Sequence, residues 1–180
     1  MSDNPKKALI VVDMVKGFVW PKTSAGPCPL YIEGAAGLIP VIKALIDKLD
    51  PEDQLIFVMD THDPEDKEFR TWPKHCIVGS EEAEVVPELL DTTHKHREVR
   101  KTRYSAFYST SLESLLNYHG VEDVIICGVA TEYCIFATAL DATYRDYKVT
   151  IPYNAVKELD IEKATLILDY LKKSCGVKLG

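Results

Sequence analysis

Val124-Ile125-Ile126-Cys127-Gly128-Val129-Ala130-Thr131-Glu132-Tyr133-Cys134 is the stretch whose character decides the fold. Its first half is a continuous apolar run rich in β-branched residues, the pattern of a strand buried on both faces. The composition then turns small and polar, and Cys134 opens a run, Ile135-Phe136-Ala137-Thr138-Ala139-Leu140, with apolar side chains at near-helical spacing. Thr131 is suited to cap that helix. Cys134 therefore falls in the first turn of a helix directly after a buried parallel strand. Unpaired N–H groups and the positive end of the helix dipole favour a thiolate there. On position alone, a small buried hydrophobe is an equally good account of this cysteine.

Outward from this stretch the chain alternates between the same two patterns. Ala8-Leu9-Ile10-Val11-Val12 and Leu55-Ile56-Phe57-Val58-Met59 are buried central strands, each followed by a carboxylate, Asp13 and Asp60. Arg97 to Arg100 is a short polar strand suited to a sheet edge, closed by Lys101, and Lys148 to Ile151 and Val177 to Leu179 complete the strands. Amphipathic helices are expected at 35–49, 110–119 and 161–173, the second ended by Gly120. Met14 to Ile32, with Gly17, Gly26, Pro21, Pro27 and Pro29, reads as a long loop. Strands alternating with helices imply a single α/β domain over residues 1–180 with a mainly parallel sheet.

Composition narrows the function classes. A net charge of −7 argues against nucleic acid or an anionic membrane as partner, and no stretch approaches the length of a membrane span. The polar Met1–Lys7 segment does not read as a signal peptide. Five cysteines without a C-x-x-C pair suit reduced thiols in a cytoplasmic protein.

In open α/β sheets, ligands bind beyond the carboxyl ends of the strands, where strand order reverses. Asp13, Asp60, Lys101 and Cys134 each fall at or just past such an end and so define one candidate site. In it Cys134 is the candidate nucleophile, Lys101 the candidate cation that raises its thiolate fraction, and Asp13 the candidate proton acceptor and donor; taken singly, a solvated surface charge accounts for the lysine and a turn or cap for the aspartate. Backbone N–H groups around Ala130 and Cys134 are candidate oxyanion donors. A second constellation, Asp60-x-His62, Glu68 and His75, offers two imidazoles and one or two carboxylates. That donor set suits zinc, with iron or manganese as alternatives. Asp60 and His62 leave a strand on alternate positions and so point the same way. Trp72 is suited either to stack on a flat ligand or to form a local core.

Gly128-Val129-Ala130-Thr131-Glu132-Tyr133-Cys134, Asp13-x-x-x-Gly17-Phe18 and Lys101-x-x-Tyr104-Ser105-x-Phe107 together resemble the isochorismatase-like cysteine hydrolases, and within them the nicotinamidase (pyrazinamidase) group. The resemblance runs from Leu9 to about Leu179. It implies an Asp13, Lys101, Cys134 triad on a Rossmann-like three-layer sandwich with a six-stranded, mainly parallel sheet. It implies a cis peptide between Val129 and Ala130 that aims backbone donors at the oxyanion, and a divalent metal held by Asp60, His62 and His75, with Glu68 as a fourth ligand. Phe18 and Trp72 would sandwich a substrate ring. The activity implied is hydrolysis of nicotinamide and related heteroaromatic carboxamides, an activity of NAD salvage. The partner implied is a small-molecule amide, and homo-oligomers are compatible with it. Isochorismatases lack the nucleophilic cysteine, and N-carbamoylsarcosine amidases keep the triad without the metal site. A non-catalytic ligand-binding member is the alternative from another class.

Overall fold

The central sheet of the computed structural model, which describes residues 6–180, is held together by parallel pairings throughout. In chain order the elements are β1 (Lys6–Val12), α1 (Lys16–Val19), a small hairpin of β2 (Lys22–Thr23) and β3 (Gly26–Pro27), α2 (Leu38–Ile46), β4 (Gln54–Asp60), α3 (Pro87–Leu90), β5 (His96–Lys101) and α4 (Leu112–His119). They continue with β6 (Val121–Val129), α5 (Phe136–Thr143), β7 (Lys148–Ile151), β8 (Val156–Lys157), α6 (Ile161–Cys175) and β9 (Lys178–Leu179). Six strands lie in the order β5-β4-β1-β6-β7-β9, and the two-residue β8 pairs separately with the end of β6. The six-stranded expectation is met by that path. The seventh strand is too short to leave a period-two pattern in the sequence.

Three layers follow from how the central strands are buried. Ala8, Ile10 and Val12 of β1, with Ile56 and Val58 of β4 and Val124 and Ile126 of β6, face a core covered by α4, α5 and α6. Leu9 and Val11, with Leu55, Phe57, Cys127 and Val129, face the opposite core, which α2 closes with Leu38, Ile42 and Ile46. The continuous apolar runs thus arise because the strands are packed on both faces. Each fully buried aliphatic side chain contributes roughly 1.5–3 kcal/mol toward that packing.

Register places the site. Val12 is opposite both Val58 and Gly128, and Asp60 is opposite Lys101, so the carboxyl ends of β1, β4, β5 and β6 lie level. From β1 the chain fills one side of the sheet with β4 and β5, then crosses to β6, β7 and β9 on the other. The β1/β6 boundary is therefore the point where strand order reverses. Gly128 makes that boundary close: with φ 111°, a Cβ there would lie 2.0 Å from the Val12 carbonyl oxygen.

Several local expectations change. Within Met14 to Ile32 the chain forms α1 and the β2–β3 hairpin, because Phe18 and Val19 are drawn into the core. The helix expected from Ala35 begins as a 3-10 turn and becomes α-helical only over Leu38–Ile46. Thr131 does not cap a helix: Ala130 is the flanking residue, and the Thr131 hydroxyl is buried without a hydrogen-bond partner. The segment Thr131–Ile135 is a π-helical turn that passes into α5.

Candidate active site

Asp13 follows β1 in a left-handed conformation, φ 55°, with its N–H bonded to the Val58 carbonyl at 2.8 Å. Lys101 is the last residue of β5, and although that strand lies at the sheet edge, its side chain is fully buried. Its ammonium lies 2.8 Å from Asp13 Oδ2, 3.0 Å from Asp60 Oδ1 and 3.4 Å from Cys134 Sγ. The three residues singled out from strand ends therefore meet around one ammonium group. The contact to Asp13 is an ion pair and not an aligned hydrogen bond, for neither Asp13 oxygen has a hydrogen-bond partner of good angle.

Burial dominates the electrostatics of this group. It pushes Asp13 up to about 6, against the opposing pull of Lys101, while the Asp60 charge adds to the rise. Burial also acts on Asp60, but there Lys101 and the His62 and His75 hydrogen bonds outweigh it and hold the carboxyl well below its ordinary range. The Cys134 thiol is pushed well above its ordinary value by burial, which Lys101 opposes and Asp13 and Asp60 reinforce. Lys101 thus acts on the thiol in the direction expected of it, while burial and the two carboxylates act against it.

The backbone around Cys134 is tightly turned. The Val129–Ala130 peptide is cis, as the resemblance implies. The Tyr133 and Ile135 N–H groups both donate to the Ala130 carbonyl, at 3.1 and 3.2 Å, and the Cys134 N–H between them makes no such bond. Ala130 and Cys134 both line the pocket.

The second constellation also converges. Nε2 of His62 and Nε2 of His75 each lie 3.0 Å from Asp60 Oδ2, and all three residues are buried. The other nitrogen of each ring is already engaged. His75 Nδ1 lies 2.8 Å from the Pro73 carbonyl, and His62 Nδ1 lies 3.1 Å from Asp66 Oδ2. Both Nε2 atoms thus converge on one carboxylate oxygen, and two imidazole nitrogens with a carboxylate form a donor set that fits zinc. Glu68 is not within that cluster: it is half-buried, lines the pocket, and lies 3.5 Å from Arg103, which also grips Asp66 at 2.9 and 3.2 Å.

Both constellations open into one cavity of about 210 Å³. Phe18 and Trp72 line it as expected, Phe18 with its ring 5.7 Å from that of His75. The Trp72 indole N–H donates to the Tyr104 hydroxyl at 2.8 Å and its ring packs edge-on to Tyr133. Tyr31, Tyr104, Tyr133 and Leu159 are lining residues to which sequence reasoning gave no role. Tyr104 and Tyr133 stand within the motifs around Lys101 and Cys134, so their neighbours were signals. Tyr31 and Leu159 sit in irregular segments with none.

The chain is similar in sequence and fold to known proteins. The family model described as Isochorismatase domain matches residues 7–179. A curated relative from Arabidopsis thaliana, 31% identical over 95% of this chain and 90% of its own, is named a probable inactive nicotinamidase. The solved pyrazinamidase of Pyrococcus horikoshii in complex with zinc is 33% identical, with a TM-score of 0.85 over 98% of this chain and 99% of that one. The N-carbamoylsarcosine amidase of Thermoplasma acidophilum is 28% identical, with a TM-score of 0.84 over 97% and 95%.

Proposed function

The chain belongs to the isochorismatase domain family, and we propose that within it the protein is a cysteine amidohydrolase converting nicotinamide, and related heteroaromatic carboxamides such as pyrazinamide, to the acid and ammonia. The observation that carries this reading is the meeting of Asp13, Lys101 and Cys134 at 2.8 and 3.4 Å in a pocket shared with the Asp60, His62, His75 cluster. An intact set of this kind favours catalysis over a role in ligand binding alone.

In the proposed reaction the Asp13 carboxylate takes the Cys134 proton as sulfur bonds to the carboxamide carbon. The oxyanion that forms accepts hydrogen bonds from the Ala130 and Cys134 N–H groups. Protonated Asp13 then gives its proton to the departing nitrogen, the C–N bond breaks, and ammonia leaves a thioester on Cys134. Asp13 next removes a proton from water, whose oxygen bonds to the acyl carbon. The C–S bond breaks, and that proton returns to sulfur. Lys101 keeps Asp13 and Cys134 in register and balances the charge that moves between them.

Asp60, His62 and His75 would hold a divalent metal, with Glu68 proposed as a further ligand. Such an ion supplies a Lewis-acidic position able to take a ring nitrogen. Phe18 and Trp72 offer apolar faces to a flat ring, which would orient its carboxamide toward Cys134.

The test is ammonia release from nicotinamide, benzamide and N-carbamoylsarcosine by the zinc-loaded protein. Nicotinamide is expected to be the best substrate. Benzamide, which has the shape without the ring nitrogen, should lose about 1–3 kcal/mol, roughly ten- to more than a hundredfold in kcat/KM. Equal rates for the two aromatic amides would remove the metal from recognition, and release from N-carbamoylsarcosine alone would replace the aromatic reading.

A further inference from the structure

Glu132 takes no part in the chemistry above, yet its carboxylate is buried two residues before Cys134, with 6% of the residue exposed. Its acceptor capacity goes to backbone amides of a distant segment. Oε1 accepts from the Leu159 and Asp160 N–H groups at 3.0 and 2.7 Å, and Oε2 from Leu159 at 3.3 Å. A buried carboxylate bonded in this way is a strong clamp, because releasing the amides would leave a desolvated charge unpaired.

The clamped segment has two other anchors, one on each side. β8, just before it, pairs with Gly128 and Val129 at the end of β6, and the chain then runs through Glu158 to Leu159. Asp160 follows as the cap of α6, accepting from the Glu162 and Lys163 N–H groups at 3.1 Å each. Leu159 thus lies in neither β8 nor α6, and its residue is 52% exposed, too open for packing to fix it. It is nevertheless the one pocket-lining residue that comes after Cys134 in the chain. What fixes it at the pocket is Glu132, from the same turn that carries the nucleophile. The cavity, about 210 Å³, suits a single ring, being below the usual range of roughly 300–1,000 Å³ for larger ligands.

The geometry points to Glu132 as a positioning residue that sets the ring-size selectivity of the site: by clamping Leu159 at the pocket it admits a monocyclic amide and disfavours a ring bearing a bulky substituent. This rests on the aromatic-amide reading of the pocket. Glu132→Gln keeps the shape but replaces one carboxylate oxygen with an NH₂ group that cannot accept from the amides.

The experiment compares wild type, Glu132→Gln, Leu159→Ala and the double variant by kcat/KM for 5-phenylnicotinamide relative to nicotinamide. The ratio should rise about tenfold in each single variant, through KM, and no further in the double variant, because the two residues act as one unit. A Glu132→Gln that lowers kcat for both amides alike, with an unchanged ratio, would reduce Glu132 to a structural residue and overturn the proposal. Alkylation of Cys134 at pH 9 by N-phenyl iodoacetamide relative to iodoacetamide reads the same selectivity without hydrolysis and should shift in the same direction. If wild type hydrolyses neither amide, the amidase reading fails, and the alkylation ratio still decides the role of Glu132: no shift in either single variant refutes it.

Discussion

Asp13 carries the clearest consequence at the scale of single residues. Its carboxyl, pushed up to about 6 chiefly by burial, must be ionised to accept the thiol proton. Activity is therefore present above that value and is lost as the pH falls through it, so kcat/KM should drop close to tenfold for each pH unit below about 6. A flat profile down to pH 4.5 would remove Asp13 as the base. Asp13→Asn should abolish turnover with the fold intact, since an amide cannot cycle a proton. The burial of Cys134 gives a second expectation. Burial holds the Cys134 proton well above the ordinary cysteine range, so iodoacetamide should label this residue slowly at neutral pH in the free protein. Rapid labelling of Cys134 near pH 7, read by peptide mapping, would contradict the thiol ground state. Sequence position alone suggested the opposite, because the helix end and Lys101 were visible there. The second carboxylate on that lysine, Asp60 at 3.0 Å, becomes visible only when β4 and β5 are set in register.

At the scale of elements, the strand ends were legible and the segments between them were not. Continuous apolar runs mark β1, β4 and β6 because both faces of those strands are packed, and the residue after each run is then forced to the sheet's carboxyl edge. That logic placed Asp13, Asp60 and Cys134 with no knowledge of pairing. Tyr31 and Leu159 lie where no periodicity exists, and a tertiary contact such as Glu132 to Leu159 leaves no trace in local spacing. The β1/β6 junction yields a stability prediction. Gly128→Ala would bring a Cβ within 2.0 Å of the Val12 carbonyl at a φ of 111°, which only glycine adopts freely. The cost should be on the order of 3 kcal/mol or more, a fall of roughly 6 °C or more in Tm for a chain of this size. An unchanged melt would mean that the two strands separate there at no cost. The loop carrying His62 and His75 gives another. His62→Ala with His75→Ala should lose zinc by elemental analysis and stay folded by circular dichroism. Asp66→Asn, which disturbs the carboxylate bonded to His62 Nδ1 at 3.1 Å, should weaken zinc binding about ten- to a hundredfold in calorimetry. Full zinc content in the double variant would refute the ligand set.

The molecule as a whole is an α/β sandwich whose strand order reverses between β1 and β6, and the site is built across that boundary. Asp13 comes from one side of it and Cys134 from the other. The lysine and the metal-ligand cluster arrive from β5 and β4 and the loop after β4. No described helix is long and apolar enough to cross a membrane, and the net charge of −7 is spread over a chain whose pocket holds Asp13, Asp60 and Glu68. The measurement that bears most directly on the central claim is ammonia release from nicotinamide by wild type and by Cys134→Ala, each zinc-loaded. Wild type should turn over steadily, and the variant should lose on the order of ten-thousandfold or more, as befits removal of a nucleophile. Absence of ammonia from wild type, or a variant that keeps most of the rate, would contradict the claim.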